Sequence, residues 1–453
     1  MIGINFFGPL YSFYSLIFFL TLSSAHANVG EAFGFGSRSA SLGGAVVANG
    51  DEEGFASYSN PAALACNGEN KFKFSFGILD MEPAFKPISN VIVENDYTSD
   101  RQTSGNVDTN YRNTLGQSIG ASFDVVPEFH HLSLGTTLFF PINQIAYFDT
   151  GESFLPEYFL YRARTLRPLL ELGAGAEIFP GFYFGTGLHF AFSLTTHGTV
   201  LLQTDQTKPS TMRYSASIKT KAAPYFGVLV IPNPSFSSGL VFRLPVQSSN
   251  TMSLDSGARA LGGLPVLDFN FSALSALFYD PMSIEAGFSW AYTPVTRLSL
   301  QGDYLFWSRF VSPALSVTDS LTSTGGVNFS KGKNPNFEFK NILTPRIGHE
   351  WQIGNKTLRL GYAYHPSILK NLPTESGNFL DPPKHMLNIG LGWQFAKCKL
   401  DLHASYHLLV TQTITKSAGD ENGVGAGNTK IGAPGYEAGG KIYGGGVTLS
   451  FAL

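Results

Sequence analysis

Residues 443–453 read Tyr443-Gly444-Gly445-Gly446-Val447-Thr448-Leu449-Ser450-Phe451-Ala452-Leu453. Taken every second residue, the run separates into two chemistries. Tyr443, Val447, Leu449, Phe451 and Leu453 fall on one face; Gly444, Gly446, Thr448, Ser450 and Ala452 fall on the other. A period of two is the signature of a strand with unlike faces. The split recurs upstream. Leu400, Leu402, Ala404, Tyr406, Leu408 and Val410 alternate with Asp401, His403, Ser405, His407 and Thr411, and Leu387, Ile389, Leu391, Trp393 and Phe395 alternate with Asn388, Gly390, Gly392 and Gln394. A soluble sandwich also alternates, so alternation alone does not decide. Here the apolar faces are large and aromatic while the opposite faces are small or polar. That pattern suits a barrel with lipid outside and a filled or wet interior.

Composition agrees. Charged residues make up 14% of the 453, against roughly 25% in ordinary soluble domains. Hydrophobic residues stand at only 43%, too few for a helical membrane protein. The excess lies in 39 Phe, 19 Tyr and 49 Gly, the residues of strands, turns and aromatic girdles. A net charge of -3 gives no reason to expect a nucleic-acid partner. Connections alternate between tight and long. Short turns fall near 126–130, 179–181, 232–235, 292–295, 354–355 and 396–397. Long polar loops fall near Glu82–Arg112, Asp149–Leu160, Ser249–Leu264, Val311–Asn334, Ser367–Pro383 and Lys416–Gly435. Short periplasmic turns and long extracellular loops are the rule for bacterial outer-membrane barrels, and the count comes to about 14 strands. The stretch Val266–Tyr279 fits either a strand or a loop folded over the barrel mouth.

Residues 1–27 read as a signal peptide: an apolar run over Phe13–Leu22 and an Ala25-His26-Ala27 cleavage site. The run is shorter than the ~20 residues of a membrane-spanning helix, which disfavours an N-terminal anchor, although no Lys or Arg precedes it. Residues 28–70 lack alternation and are rich in Gly, Ala, Ser and Asn. They are too apolar for a solvated linker and fit a plug inside the barrel formed by 71–453. Cys66 and Cys398 are either a pair tethering the plug to the barrel floor or two free thiols; an oxidising periplasm permits the first.

Three stretches carry a family resemblance. Gly34-Phe35-Gly36-Ser37-Arg38-Ser39-Ala40-Ser41-Leu42-Gly43-Gly44-Ala45, Asp51-Glu52-Glu53 and Tyr58-Ser59-Asn60-Pro61-Ala62 together resemble the N-terminal plug of the FadL/TodX family of long-chain fatty acid and hydrocarbon transporters. Asn60-Pro61-Ala62, with Gly43 and Gly44, is the most specific part. Asp303 to Phe310 is similar to a tryptophan-containing pattern of that family, and Arg359-Leu360-Gly361-Tyr362 to its later R-x-G-Y strand. The resemblance implies an all-β, transmembrane antiparallel barrel of 14 strands with its plug in the lumen, monomeric and without a cofactor. It would stand in the outer membrane, among its lipids, and take up hydrophobic small molecules passively. It also implies sideways release beside a kinked third strand, here His131 to Tyr147, where Pro141 is the candidate opening; an ordinary strand end is the other reading. His365-Pro366 departs from the family, which tends to carry an acid there.

Parity places Glu171, Glu285, Arg297, Asp303, Arg346, Glu350, Arg359, Asp401, His403 and His407 inward. Arg346 or Arg359 could grip a carboxylate head group through a planar fork. Alternatively the charges form a mixed-sign network tying plug to wall. The near-equal numbers of both signs favour the network, and they do not make the single-sign ring of an ion-selective pore. Phe154, Tyr158, Phe159, Phe278 and Tyr279 offer apolar capture surface near the loops.

Catalytic patterns fail on inspection. Gly435 to Lys441 fits G-x4-G-K, but Ile442 replaces the required hydroxyl residue and a strand follows. His349-Glu350 lacks the second histidine of a zinc motif. His403 and His407 would stand ~13 Å apart along a strand, too far to share a metal. Side chains two apart, as in Asp401/His403/Ser405, do not reach one another in the way a triad requires. A general porin and a barrel that anchors or shuttles secreted proteins are the two other readings.

Overall fold

The computed structural model describes residues 29–50, 54–66, 72–93, 103–107, 111–125, 132–143, 157–158, 160–161, 166–203, 209–259, 265–310, 316–323, 337–370, 379–415 and 435–453. The signal segment 1–27, the acidic run Asp51-Glu52-Glu53, Phe154 and Phe159 lie outside them.

In chain order the strands are β1 (Phe72–Phe85), β2 (Ile88–Val93), β3 (Thr103–Val107), β4 (Thr114–Asp124), β5 (Leu132–Pro141), β6 (Leu169–Phe179), β7 (Phe182–Gln203), β8 (Thr211–Asn233), β9 (Phe236–Arg243), β10 (Val246–Arg259), β11 (Pro265–Asp280), β12 (Ser283–Thr293), β13 (Thr296–Leu305), β14 (Ser316–Ser323), β15 (Ile342–Ile353), β16 (Lys356–His365), β17 (Lys384–Phe395), β18 (Cys398–Thr415) and β19 (Gly435–Ala452). Fourteen of them, β1, β4 to β9, β12, β13 and β15 to β19, form one antiparallel ring that closes where β19 pairs with β1. Closure leaves no unpaired edge in the ring, as a lipid environment requires. Tight hairpins join Phe179 to Phe182, Asn233 to Phe236, Thr293 to Thr296, Ile353 to Lys356 and Phe395 to Cys398. All five lie at the end where Leu453 pairs with Phe72.

Side chains follow the sequence alternation. Outward positions are apolar and exposed, among them Leu172, Leu188, Leu240, Ile347, Leu387 and Phe451. Inward positions on the ring strands are buried and small or polar: Ser75, Thr137, Ser237, Ser299, Thr448 and Ser450.

Five strands lie outside the ring. β7 and β8 run 22 and 23 residues, well past the end of β6. An exposed strand edge is a template for pairing, and β10 takes it, running parallel to Leu194–Gln203. β11 pairs with β10, and β14 with β11. The ambiguous stretch Val266–Tyr279 is therefore a strand, but not of the barrel wall, and two expected loops carry β10 and β14. A third, Glu82–Arg112, carries the β2–β3 hairpin.

Two points left open by the sequence bear on the wall. β5 pairs with β4 without a register shift through Pro141, and with β6 through Phe139. Pro141 is the last residue of the strand, two residues past its last pairing with β6; a residue lacking an N–H is tolerated there because little of the ladder remains to be donated to. Cys66 and Cys398 are not joined in a disulfide. Cys66 packs with Ile231 and Tyr183 near the hairpin ends of β7 and β8, while Cys398 pairs with Phe395 and Phe451 on other strands of the ring.

Candidate functional site

The lumen is filled from the N-terminal side of the chain. Residues 29–50 and 54–66 form short helical turns, Val29–Phe33, Ser37–Ser41, Ala56–Ser59 and Pro61–Ala65, and nearly all of them are buried. The wall meets them with glycine. A Cβ at Gly120 would strike Gly54, at Gly185 Pro61 and Ala62, at Gly227 Asn60, at Gly239 Val47, at Gly361 Gly43, and at Gly390 Ser41. These glycines belong to β4, β7, β8, β9, β16 and β17, so the segment is enclosed from opposite sides. A wall of larger residues could not bring two backbones so close.

Asn60-Pro61-Ala62 has a physical reading. The Asn60 side chain accepts from the Ala62 N–H at 3.0 Å, capping the helical turn that Pro61 opens. Its amide nitrogen donates to the Val47 carbonyl at 2.8 Å and to the Val228 carbonyl of β8 at 3.1 Å. One buried side chain thus ties two parts of the segment to the wall. Gly43 and Gly44 take positive φ, 65° and 79°, and Arg346 of β15 closes on their turn: Nη1 donates to the Gly43 carbonyl at 2.8 Å. A side chain at Gly44 would collide with that guanidinium.

Three ionic clusters ring the segment. In the first, Arg38 makes a two-pronged contact with Glu350 at 3.1 and 2.9 Å, and Glu350 also accepts from Arg359 Nε at 2.8 Å. Arg359 donates onward to Asp401, and Lys399 stands 3.5 Å from that carboxylate. In the second, Arg346 donates to Asp303, whose other oxygen accepts from Gln301 at 2.7 Å; Gln301 in turn accepts the Val46 and Val47 N–H groups at 2.9 Å each. In the third, Arg243 donates to Glu285 at 2.8 Å and to the Tyr58 carbonyl, while His189 bridges Glu171 at 2.6 Å and Asp280 at 2.8 Å, and Arg167 completes Asp280. Buried charges of both signs satisfy one another, which is what makes their burial tolerable.

The structure therefore brings Arg346, Arg359 and Glu350 to the N-terminal segment. It leaves Arg297 apart, its guanidinium 3.4 Å from Ser289. Neither Arg346 nor Arg359 stands open for a head group, since each already holds carboxylates. Arg38, Arg243, His189 and Gln301 belong to the network but were not singled out from the sequence. The signal for Arg243 was there: Ser237, Gly239, Val241 and Arg243 alternate with Phe236, Leu240 and Phe242.

Beyond the ionic tier, toward the loop end, the lumen changes character. Leu79, Met81, Phe139, Leu169, Leu305 and Ile342 project inward from upper strand positions and join one apolar cluster with Phe33, Phe35 and Phe55 of the segment. Loop residues close it from above: Tyr158, Trp307, Phe310, Phe337, Phe339 and Phe379. Rings meet at close range, Phe85 on Tyr158 at 4.2 Å and Phe337 on Phe379 at 4.6 Å. Tyr158 also exchanges hydrogen bonds with the Gly439 backbone at 2.7 and 2.9 Å, pinning its loop to β19. Of the expected capture residues, Tyr158 and Tyr279 are fully buried in this cluster; the side chain of Phe278 is outside the described set. Between the tiers sits Glu31, whose carboxyl burial pushes up to about 7 against the pull of Lys384 and Arg346.

No family model and no curated protein matches the chain. Among solved structures it is similar to a FadL homologue of Pseudomonas aeruginosa, with a TM-score of 0.54 and 12% identity over 95% of this chain and 99% of that one. It is also similar to the toluene transporter TodX of P. putida, with a TM-score of 0.53 and 12% identity over 93% and 99%. The fold is that of the FadL/TodX barrels.

Proposed function

We propose that this chain is a passive outer-membrane channel for hydrophobic molecules, long-chain fatty acids or hydrocarbons, and that residues 28–70 are its plug. The observation that carries the reading is the two-tier lumen. A porin for polar solutes needs a wet interior, whereas here the loop end of the barrel is an aromatic compartment. Apolar solutes partition into such a compartment by loss of water-exposed surface alone, so neither an energy source nor a cofactor is called for. The named structural relatives, a FadL homologue and a toluene transporter, support the same class.

The mechanism follows from the layering. A solute enters the aromatic compartment from the loop side by displacing rings there. Continued passage needs the plug to shift, because wall and plug are in backbone contact through Gly239, Gly361 and their counterparts. The mixed-sign network sets how firmly the plug is held. Release through the wall is part of this proposal; at Pro141 the strand is paired with β4, but with β6 only as far as Phe139, which keeps Pro141 a candidate place for it. The test is uptake of labelled long-chain fatty acid and of toluene by a deletion strain, with and without the gene restored. Restored uptake of either supports the reading. No change for both, with folded protein in the outer membrane, sinks it.

A further inference from the structure

One cavity lies outside the lumen. It is a groove of about 630 Å³ on the outward face of β13 and β15 to β18. Its walls are Leu298, Ile347, Leu360, Leu387 and Ile389, with Tyr406 at one end and Trp351 at the other. Ala404 is the small residue that leaves it open. Directly behind it, on the luminal side, Gly348, Gly361 and Gly390 press on Leu42, Gly43 and Ser41 of the N-terminal segment.

One end of the groove is polar. His349 lines it and lies four residues from the Ile353–Lys356 hairpin, on the order of 13 Å along the strand. Its Nε2 stands 2.6 Å from the Tyr292 hydroxyl, and its ring packs at a tilt against Trp351 with centroids 3.8 Å apart. Tyr and Trp collect at the membrane–water interface because one end of each is apolar and the other polar. The Nδ1 atom of His349 is buried with no hydrogen-bond partner among the described residues. In the tautomer where Tyr292 donates to Nε2, the imidazole N–H at Nδ1 is a donor without an acceptor.

We infer that this groove is a binding site for one acyl chain of a glycerophospholipid from the bilayer leaflet at the hairpin end, with its ester or phosphate oxygens at His349. The occupant comes from the bilayer because the ladders from β13 through β18 run unbroken across the groove floor, and the N-terminal segment blocks the luminal side. The volume falls within the range of sites that bury a small ligand. The apolar lining suits methylenes, and the unpaired Nδ1 of His349 sits at the depth of a head group, where a small turn of the ring brings it to a lipid oxygen. The inference rests only on the barrel standing in a bilayer, not on which solute it passes.

The test is native mass spectrometry of protein extracted from membranes and washed in mild detergent, with phospholipid quantified per chain. Wild type is expected to retain one phospholipid. Ala404→Trp fills the groove and should lower retention at least tenfold. Ala174→Trp puts the same ring on the outward face of β6, away from the groove, and should change nothing. His349→Phe keeps the ring but removes the donor and should lower retention severalfold; it decides the matter if Ala404→Trp fails to show the heat-modifiable mobility of a folded barrel. Retention that is absent in wild type, equal in Ala404→Trp and Ala174→Trp, unaffected by His349→Phe, or made up of free fatty acid would overturn the assignment. None of these outcomes bears on solute uptake, so the two proposals fail separately.

Discussion

Arg38→Met removes the plug's own arm of the Arg38–Glu350–Arg359 cluster while keeping most of the side-chain stem. Two charge-assisted bonds are lost, at 3.1 and 2.9 Å. Breaking a buried pair by deleting one partner costs about 3–5 kcal/mol. The lower end applies, because Glu350 keeps Arg359 at 2.8 Å and is not left with an unpaired charge. A loss of about 3 kcal/mol is about a hundredfold in the equilibrium between docked and undocked plug, at tenfold per ~1.4 kcal/mol. Amide hydrogen exchange reads that equilibrium locally. Peptides covering 37–47 should exchange about a hundredfold faster in the variant, while peptides of β17 and β18 stay as in wild type. Unchanged exchange in 37–47 would refute the idea that the network holds the plug. Equal acceleration in the barrel strands would show that it holds the wall instead.

Four further outcomes are expected. Glu31 is easier to bury protonated, so its contribution to docking is fully present below about pH 4.5 and is lost as pH rises through about 7; exchange in the plug should quicken across that window, and Glu31→Gln should flatten the response. Gly239→Val drives a side chain into the Val47 carbonyl, and backbone there cannot step aside, so the barrel should assemble with its plug undocked, seen as steady single-channel conductance. Phe139→Ala empties part of the aromatic compartment, where such truncations cost about 3–5 kcal/mol, and should lower the thermal midpoint in detergent. Pro141→Ala tests the strand end where pairing with β6 has already stopped at Phe139; if release is there, uptake should fall markedly, and uptake as in wild type would remove Pro141 as an opening.

The barrel was legible because lipid and lumen impose a strict period of two. Leu387 to Phe395, Leu400 to Val410 and Tyr443 to Leu453 kept their predicted faces, and parity put Glu171, Asp303, Arg346, Arg359 and Asp401 inside. The Asn60-Pro61-Ala62 element was visible as a motif, but its partner Val228 lies 168 residues away, and no local pattern encodes that pairing. The pairing of β10, β11 and β14 was not visible because it is set by a free edge on β7, created only when β7 outruns β6. β10 and β14 read as loops between barrel strands, and β11 as either a strand or a loop. Arg38 was quoted within a motif yet not recognised as half of an ion pair, since Glu350 is 312 residues distant.

The most direct test locks the plug. The hydroxyls of Ser57, in the plug, and Thr137, on β5, are 2.6 Å apart. Ser57→Cys with Thr137→Cys, in a background where Cys66 and Cys398 are serine, should form a disulfide under oxidation. Uptake of labelled long-chain fatty acid and of toluene is then compared in oxidised and reduced cells. The account predicts uptake lost on oxidation and restored by reductant. Equal uptake in both states, with the bond verified by mass, would contradict a plug that must move for a hydrophobic molecule to pass.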